Sequence, residues 1–242
     1  MRHPILPKNV KRIKPDDAFC FQCHPEISCF TLCCRQLELA LTPYDVLRLK
    51  KATGLSSSAF LENYVIIERE EKDVFPRLYL TMVDDGNASC VFVAKHGCTV
   101  YRDRPGACRA YPMGRAAVLT TEDRMEEFYV LLQESHCYGF NENSNQTPKK
   151  YGKNQGLSSY NRFNDAVCGI LQHERIRQGM MLTEGQADAF VLSLYDLDTF
   201  REMIFKDKLP HTPFDMSKRK ELEDDESLLL FAIDWLQNRL FG

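Results

Sequence analysis

The apolar positions of this chain follow two regimes, with short alternating runs in the first half and helical spacing in the last third. Leu78, Leu80 and Met82 alternate with Tyr79, Thr81 and Val83, the period-two pattern of a strand. Asp84-Asp85-Gly86-Asn87 then reads as a turn, with 90–93 as the returning strand. The EF-hand spacing is missing from that acidic run, so it is not read as a calcium loop. Arg104-Pro105-Gly106 forces a bend just before Cys108, and 115–120 and 127–133 are the next strand candidates. Thr42-Pro43 is an N-cap followed by proline at the first helical position, and Gly54 is the matching C-terminal stop. A second short helix begins at 56–58 and carries Phe60, Leu61, Tyr64 and Val65. Residues 141–154 are polar throughout and read as a loop. Beyond them, Phe163, Val167, Ile170 and Leu171 share one helical face, and Phe190, Leu192, Leu194, Tyr195 and Leu197 form another apolar stretch. Leu222, Leu229, Ile233, Leu236 and Leu240 define a final helix, whose stripe is most simply core and alternatively a partner or dimer interface. The charged run 218–226 leads into it as a solvated linker and helix start.

These patterns predict an α+β protein: a basic N-terminal arm over 1–19, a cysteine-rich, metal-organised sheet-and-loop region over 20–140, a polar loop over 141–154, and a mainly helical part over 155–242. Hydrophobic residues at 44% and charged residues at 27% exclude a wholly disordered chain. The longest apolar run, 228–233, is far below the roughly 20 residues a bilayer span requires. The opening 1–15 is basic and interrupted by proline with no apolar stretch behind it, unlike a secretory signal, so a cytoplasmic location is expected. A formal net charge of −3 gives no general attraction to nucleic acid or anionic lipid.

The ten cysteines change the picture more than any other residue type. Cys20, Cys23, Cys29, Cys33 and Cys34 crowd together, Cys90, Cys98 and Cys108 follow, and after Cys137 only Cys168 remains. A disulfide framework suits small secreted chains, and this chain is long enough to bury a core. Burial as a small hydrophobe suits Cys168 and at most Cys20. Neither accounts for the cluster, whereas thiolates at short spacings are the expected ligands of zinc or of an iron–sulfur centre. Cys20-x2-Cys23 and Cys29-x3-Cys33 fall within the zinc range, but Cys90-x7-Cys98-x9-Cys108 matches neither a zinc knuckle nor a ferredoxin run. The spacings therefore leave the metal open. Adjacent Cys33 and Cys34 project in different directions, so two four-ligand centres and one multinuclear centre both remain open. His24, His96 and His136 each lie within two residues of a cysteine and are secondary ligand candidates. Lys95, Arg102, Arg104, Arg109 and Arg115 face only Asp103 in their stretch, a surround that favours thiolates or, alternatively, forms a solvated or anion-binding basic loop.

Four separated blocks carry a resemblance. They are the segment from Cys23 through Cys29 to Cys33-Cys34-Arg35, the stretch Leu41-Thr-Pro-Tyr-Asp-Val-Leu-Arg-Leu49, Cys90-x-Phe92, and Gly97-Cys98-x-Val-Tyr101-x-x-Arg104-Pro105 running on to Cys108-Arg109-x-Tyr111-Pro112. In this order they resemble the YkgJ-type cysteine-cluster family, whose domain is described as zinc- or iron-chelating, over roughly 20–140. The resemblance implies Cys23, Cys29, Cys33, Cys34, Cys90, Cys98, Cys108 and Cys137 as metal ligands. The first intervals are longer than the family's usual Cys-x2-Cys-x2-Cys-Cys, which leaves Cys20 as an upstream rival to Cys23, with Cys23 preferred. Family membership implies metal binding and brings no reaction with it. A flagellin lysine methylase shares this kind of domain, so an enzymatic role rests on analogy alone.

Common reaction signatures are absent from the sequence. There is no dinucleotide fingerprint after a strand, no Walker loop and no nucleophile elbow. The radical-SAM spacing fails because Gln36 stands where its third cysteine would be. Three classes remain: a metal-binding protein with a structural or electron-transferring site, a metalloenzyme with an open coordination position, and a metal-delivery or redox-sensing module. Tyr101, Tyr111, Arg104 and Arg109 are the candidates for polar work beside a metal, and the two arginines serve equally well to orient the loop and offset charge. The expected partners are metal ions, with a protein partner through the helical part as a further option.

Overall fold

The structure is a computed structural model that describes residues 6–120, 122, 124–209 and 219–242. Residues 1–5 of the basic arm and Lys218 of the charged run lie outside the described residues. The chain forms two compact units with interleaved segments: Met1–Leu37 with Met82–Asn161, and Glu38–Thr81 with Arg162–Gly242. The boundaries thus differ from contiguous segments at 20–140 and 155–242, because 38–81 groups with the C-terminal helices.

The second unit holds most of the apolar core. Thr42 caps the helix Pro43–Thr53 through a capping box with Asp45, and Gly54 ends it at φ 71°. Ser56 caps Ser57–Tyr64, after which Val65–Glu68 pairs antiparallel with Arg77–Leu80. The expected single strand 78–83 is broken at Thr81, whose N–H donates to Tyr64 O (2.9 Å), and Met82–Val83 pairs elsewhere. The apolar stretch at 190–197 is likewise two helices, Glu184–Leu194 and Leu197–Phe205, since Tyr195 and Asp196 leave helical order. The last helix, Asp225–Phe241, is capped by Asp224, with Leu222 held in the short turn before it. Its Leu228, Leu229 and Leu236 are fully buried, as are Phe60, Phe163 and Phe200, so the apolar stripe is core. Lys50 is only 7% exposed and bridges Asp198 (2.8 Å) and Asp225 (3.1 Å).

The first unit has little regular structure. Among the described residues, its one substantial sheet has the order Val10–Ile13, Met125–Leu132, Met113–Leu119, all antiparallel, so part of the arm expected over 1–19 is a strand. Three further pairs are two residues long: Phe19–Cys20 with Asn145–Gln146, Met82–Val83 with Ser89–Cys90, and Val93–Ala94 with Gly97–Cys98. The stretch 141–154, expected as a loop, contains the strand Asn145–Gln146 and the helix Pro148–Asn154. Thr147 caps that helix and Pro148 opens it, the same start signal as Thr42-Pro43 but in a polar setting. Among the described residues, ten of the forty buried apolar side chains lie in this unit. The fold is α+β, with small sheets and a helical C-terminal part. Among the described residues no helix is long and apolar enough to cross a membrane.

Candidate metal centre

All eight cysteines implied by the resemblance fall in the first unit, and the cysteine-free excursion 38–81 falls in the second. Short backbone ties bring their segments together. Cys23 follows the strand Phe19–Cys20, and Gln22 N–H donates to Gly139 O (3.0 Å), which holds this segment beside Cys137. Cys29 is buried and its Sγ accepts from Tyr138 N–H (3.2 Å). Cys33 and Cys34 occupy the 3-10 turn Leu32–Cys34. Just beyond them, Arg35 bridges to Ser89 and Gln36 N–H donates to Ala88 O (2.9 Å), which sets this turn next to Cys90. The hairpin Val93–Ala94 with Gly97–Cys98 then folds Cys98 back, Gly97 taking φ 113° with Phe30 close against it.

Cys108 lies on the short helix Gly106–Ala110, and two arginines pin that loop. Arg109 donates to Arg104 O (3.1 Å), to Gln155 O (2.9 Å) and to Arg102 O. Arg104 donates to Tyr101 O (2.6 Å) and Gln155 Oε1, and lies over the Tyr101 ring. Tyr160 completes the clamp by donating to Arg104 O (3.0 Å). Both guanidiniums are thus engaged with backbone, and their part in the basic stretch is to hold the Cys108 loop. The charge still reaches the thiols, because Arg104 favours ionisation of Cys23 and Cys98.

The thiols are surrounded by one another. Burial, then the charges of Cys33, Cys29 and Cys137, push Cys23 up to about 11. Cys33 and Cys34 are hydrogen-bonded side chain to side chain, which lowers Cys33 to about 7 and raises Cys34, on which burial, Cys108 and Cys90 also act. Burial raises Cys90, Cys98 and Cys137, opposed in each by the amide two residues on, of Phe92, Val100 and Gly139 respectively. An N–H aimed at sulfur stabilises the thiolate form, as amides around metal-bound thiolates do. Cys23, Cys29, Cys33 and Cys137 line one cavity with Phe21, Ile27, Tyr111 and His136, with about 20 Å³ of free space. That is room for a single atom-sized guest, since one water needs roughly 10–15 Å³ by this measure. Tyr111 donates to Glu134 Oε2 (2.7 Å) and is hydrogen-bonded to Cys137.

Among the described residues, no group of three or more Cys, His, Asp or Glu side chains is gathered tightly enough to hold a metal ion. The sulfurs are neighbours rather than a closed coordination shell. What fits a thiophilic metal is the donor chemistry: free thiols in one surround, amides directed at them, and a cavity of ion size. Cys20 is exposed on its strand, and it is Cys23 that shares the cavity. Cys168 is buried in the helix Leu157–Leu171. His136 lines the cavity, His24 lies 3.4 Å from Glu26 and Glu142, and His96 is exposed in the hairpin turn. Sequence reasoning missed Phe21, Ile27, Glu134, Gly139 and Gln155. Only Gly139, two residues after Cys137, carried a signal that spacing could have caught.

No curated protein and no solved structure matched this chain. A family model, CxxCxxCC, described as "Putative zinc- or iron-chelating domain", matches residues 22–146. That span contains the eight clustered cysteines, leaves out Cys20 and Cys168, and covers just over half of the chain, which belongs to the CxxCxxCC family.

Proposed function

We propose that this protein is a thiolate metalloprotein in which zinc or an iron–sulfur centre, held by Cys23, Cys29, Cys33, Cys34, Cys90, Cys98, Cys108 and Cys137, organises the first unit. The observation that carries this reading is the sorting of the cysteines. Three sequence-distant groups meet in the unit with two-residue sheets and few buried apolar side chains. A region that buries so little apolar surface gains its folding free energy from cross-links, and metal binding to thiolates supplies them. Bound there, the metal contributes structural cross-linking or, as an iron–sulfur centre, one-electron transfer. Thiolates stay available in a reducing compartment, so we place the protein in the cytoplasm.

A metalloenzyme is the second reading, and the cavity favours it. His136 and Tyr111 border the same space as four of the sulfurs, with Glu134 hydrogen-bonded to Tyr111. The test is elemental analysis and visible absorption of the full chain purified without oxygen, followed by melting with and without a strong chelator. Bound zinc or iron, and loss of the first unit's transition on chelation, are expected. A metal-free chain that melts identically in chelator would overturn the reading.

A further inference from the structure

We propose that the eight cysteines divide between Cys33 and Cys34 into two four-sulfur positions, Cys23, Cys29, Cys33 and Cys137 in one and Cys34, Cys90, Cys98 and Cys108 in the other. This rests on the thiolate reading above and sets its number of centres. The branch point is geometric. In a 3-10 turn of about three residues per turn, neighbouring side chains leave the axis about 120° apart. The turn Leu32–Cys34 therefore starts the two adjacent side chains on different sides of its axis, while their thiols stay within hydrogen-bonding reach. Cys33 goes to the cavity that Cys23, Cys29 and Cys137 line.

Cys34 is not among the residues that line that cavity. The Arg35 bridge to Ser89 and the Gln36 N–H bond to Ala88 O set it beside the strand that ends in Cys90. The hairpin after Cys90 returns Cys98, and the arginine clamp holds the helix that carries Cys108.

The test counts metal in the full chain and in serine variants, purified without oxygen. Cys33→Ser and Cys137→Ser should each halve the bound metal, as should Cys34→Ser and Cys108→Ser, and the Cys33→Ser, Cys34→Ser double variant should lose all of it. Complete loss in any single variant that remains folded, or a wild-type capacity of one centre, overturns the division and leaves the thiolate reading standing. A wild-type chain without metal overturns both. Should the single variants fail to fold, cobalt(II) titration of the metal-free wild-type chain reads the same number. Its thiolate-to-cobalt absorption should end at two equivalents, and an end at one would refute the division.

Discussion

Gly139→Ala should weaken one half of the cysteine cluster and spare the other. Gly139 is buried, its N–H is directed at Cys137, and its carbonyl accepts from Gln22 N–H (3.0 Å). A Cβ there would sit 2.6 Å from Phe21 Cε2 and 2.8 Å from Gln22 O, where ordinary contact begins at 3.4 Å. The ring edge can tilt, but the Gln22 carbonyl is backbone. The segments that carry Cys23 and Cys137 must therefore separate by about 0.6 Å. On the proposed thiolate reading, zinc–sulfur bonds near 2.3 Å would tolerate roughly 0.2 Å, so the strain would fall on coordination. Overpacking of this kind costs about 1–3 kcal/mol, or roughly 5- to 150-fold in metal affinity. Chelator competition on the full chain measures it, with metal release expected in two phases and only one of them accelerated by the substitution. Wild-type retention of all metal and an unchanged melting temperature would refute the reasoning. Equal weakening of both phases would refute the assignment of Gly139 to one position.

The second unit supports predictions of its own. Lys50→Met keeps the buried stem but strands Asp198 and Asp225 with Arg201, which donates to both. Breaking a fully buried pair costs about 3–5 kcal/mol, and the partial exposure of these carboxylates brings the expectation to about 2–3 kcal/mol in urea unfolding. Burial alone would raise Asp198, yet the bonds from Lys50 and Ser57 and the charge of Arg201 hold its carboxyl below the usual range. Its contribution is therefore present above pH about 4 and lost as pH falls through the lowered value, so the penalty of Lys50→Met should shrink in acid. A penalty that is the same at pH 7 and pH 3 would argue against this. Cys168→Ser, buried outside the cysteine unit, should leave metal content unchanged by elemental analysis, and a loss of metal would place the site elsewhere.

Local signals in the sequence resolved what local chemistry decides. Thr42-Pro43 and Gly54 bounded a helix because caps act within one turn, and the stripe ending at Leu240 identified core because its period is intrinsic to a helix. The strand 78–83 misled because alternation records which face is buried and not which partner is paired, so the break at Thr81 left no trace in the pattern. The polar helix Pro148–Asn154 was hidden for the opposite reason: it lacks the apolar period, although its cap and proline were visible. At the site, residue types and spacing picked out the cysteine cluster, and the family resemblance implied eight of its members. That Cys33 lines the cavity with Phe21 and Ile27 while the residues after Cys34 tie to the strand of Cys90 depends on long-range contacts that spacing does not encode.

The longest gap in the cysteine series, about 55 residues between Cys34 and Cys90, is also the one the fold handles most economically. Closing a free loop of that length costs about 3.5 kcal/mol in the logarithmic term. Within the second unit, however, Leu41 N–H donates to Leu78 O (2.7 Å) and Leu80 N–H to Leu39 O (3.0 Å), which ties the two ends of the excursion to each other. Once those ends are joined, the span left to close is about 15 residues, and the same term falls to about 2.4 kcal/mol. The difference, about 1.1 kcal/mol, is roughly a sevenfold gain in the population that presents Cys34 to Cys90. The pairing of 39–41 with 78–80 thus accounts for how cysteines so far apart in sequence come to share a surround, and why a cysteine-free stretch can interrupt the cluster without dispersing it.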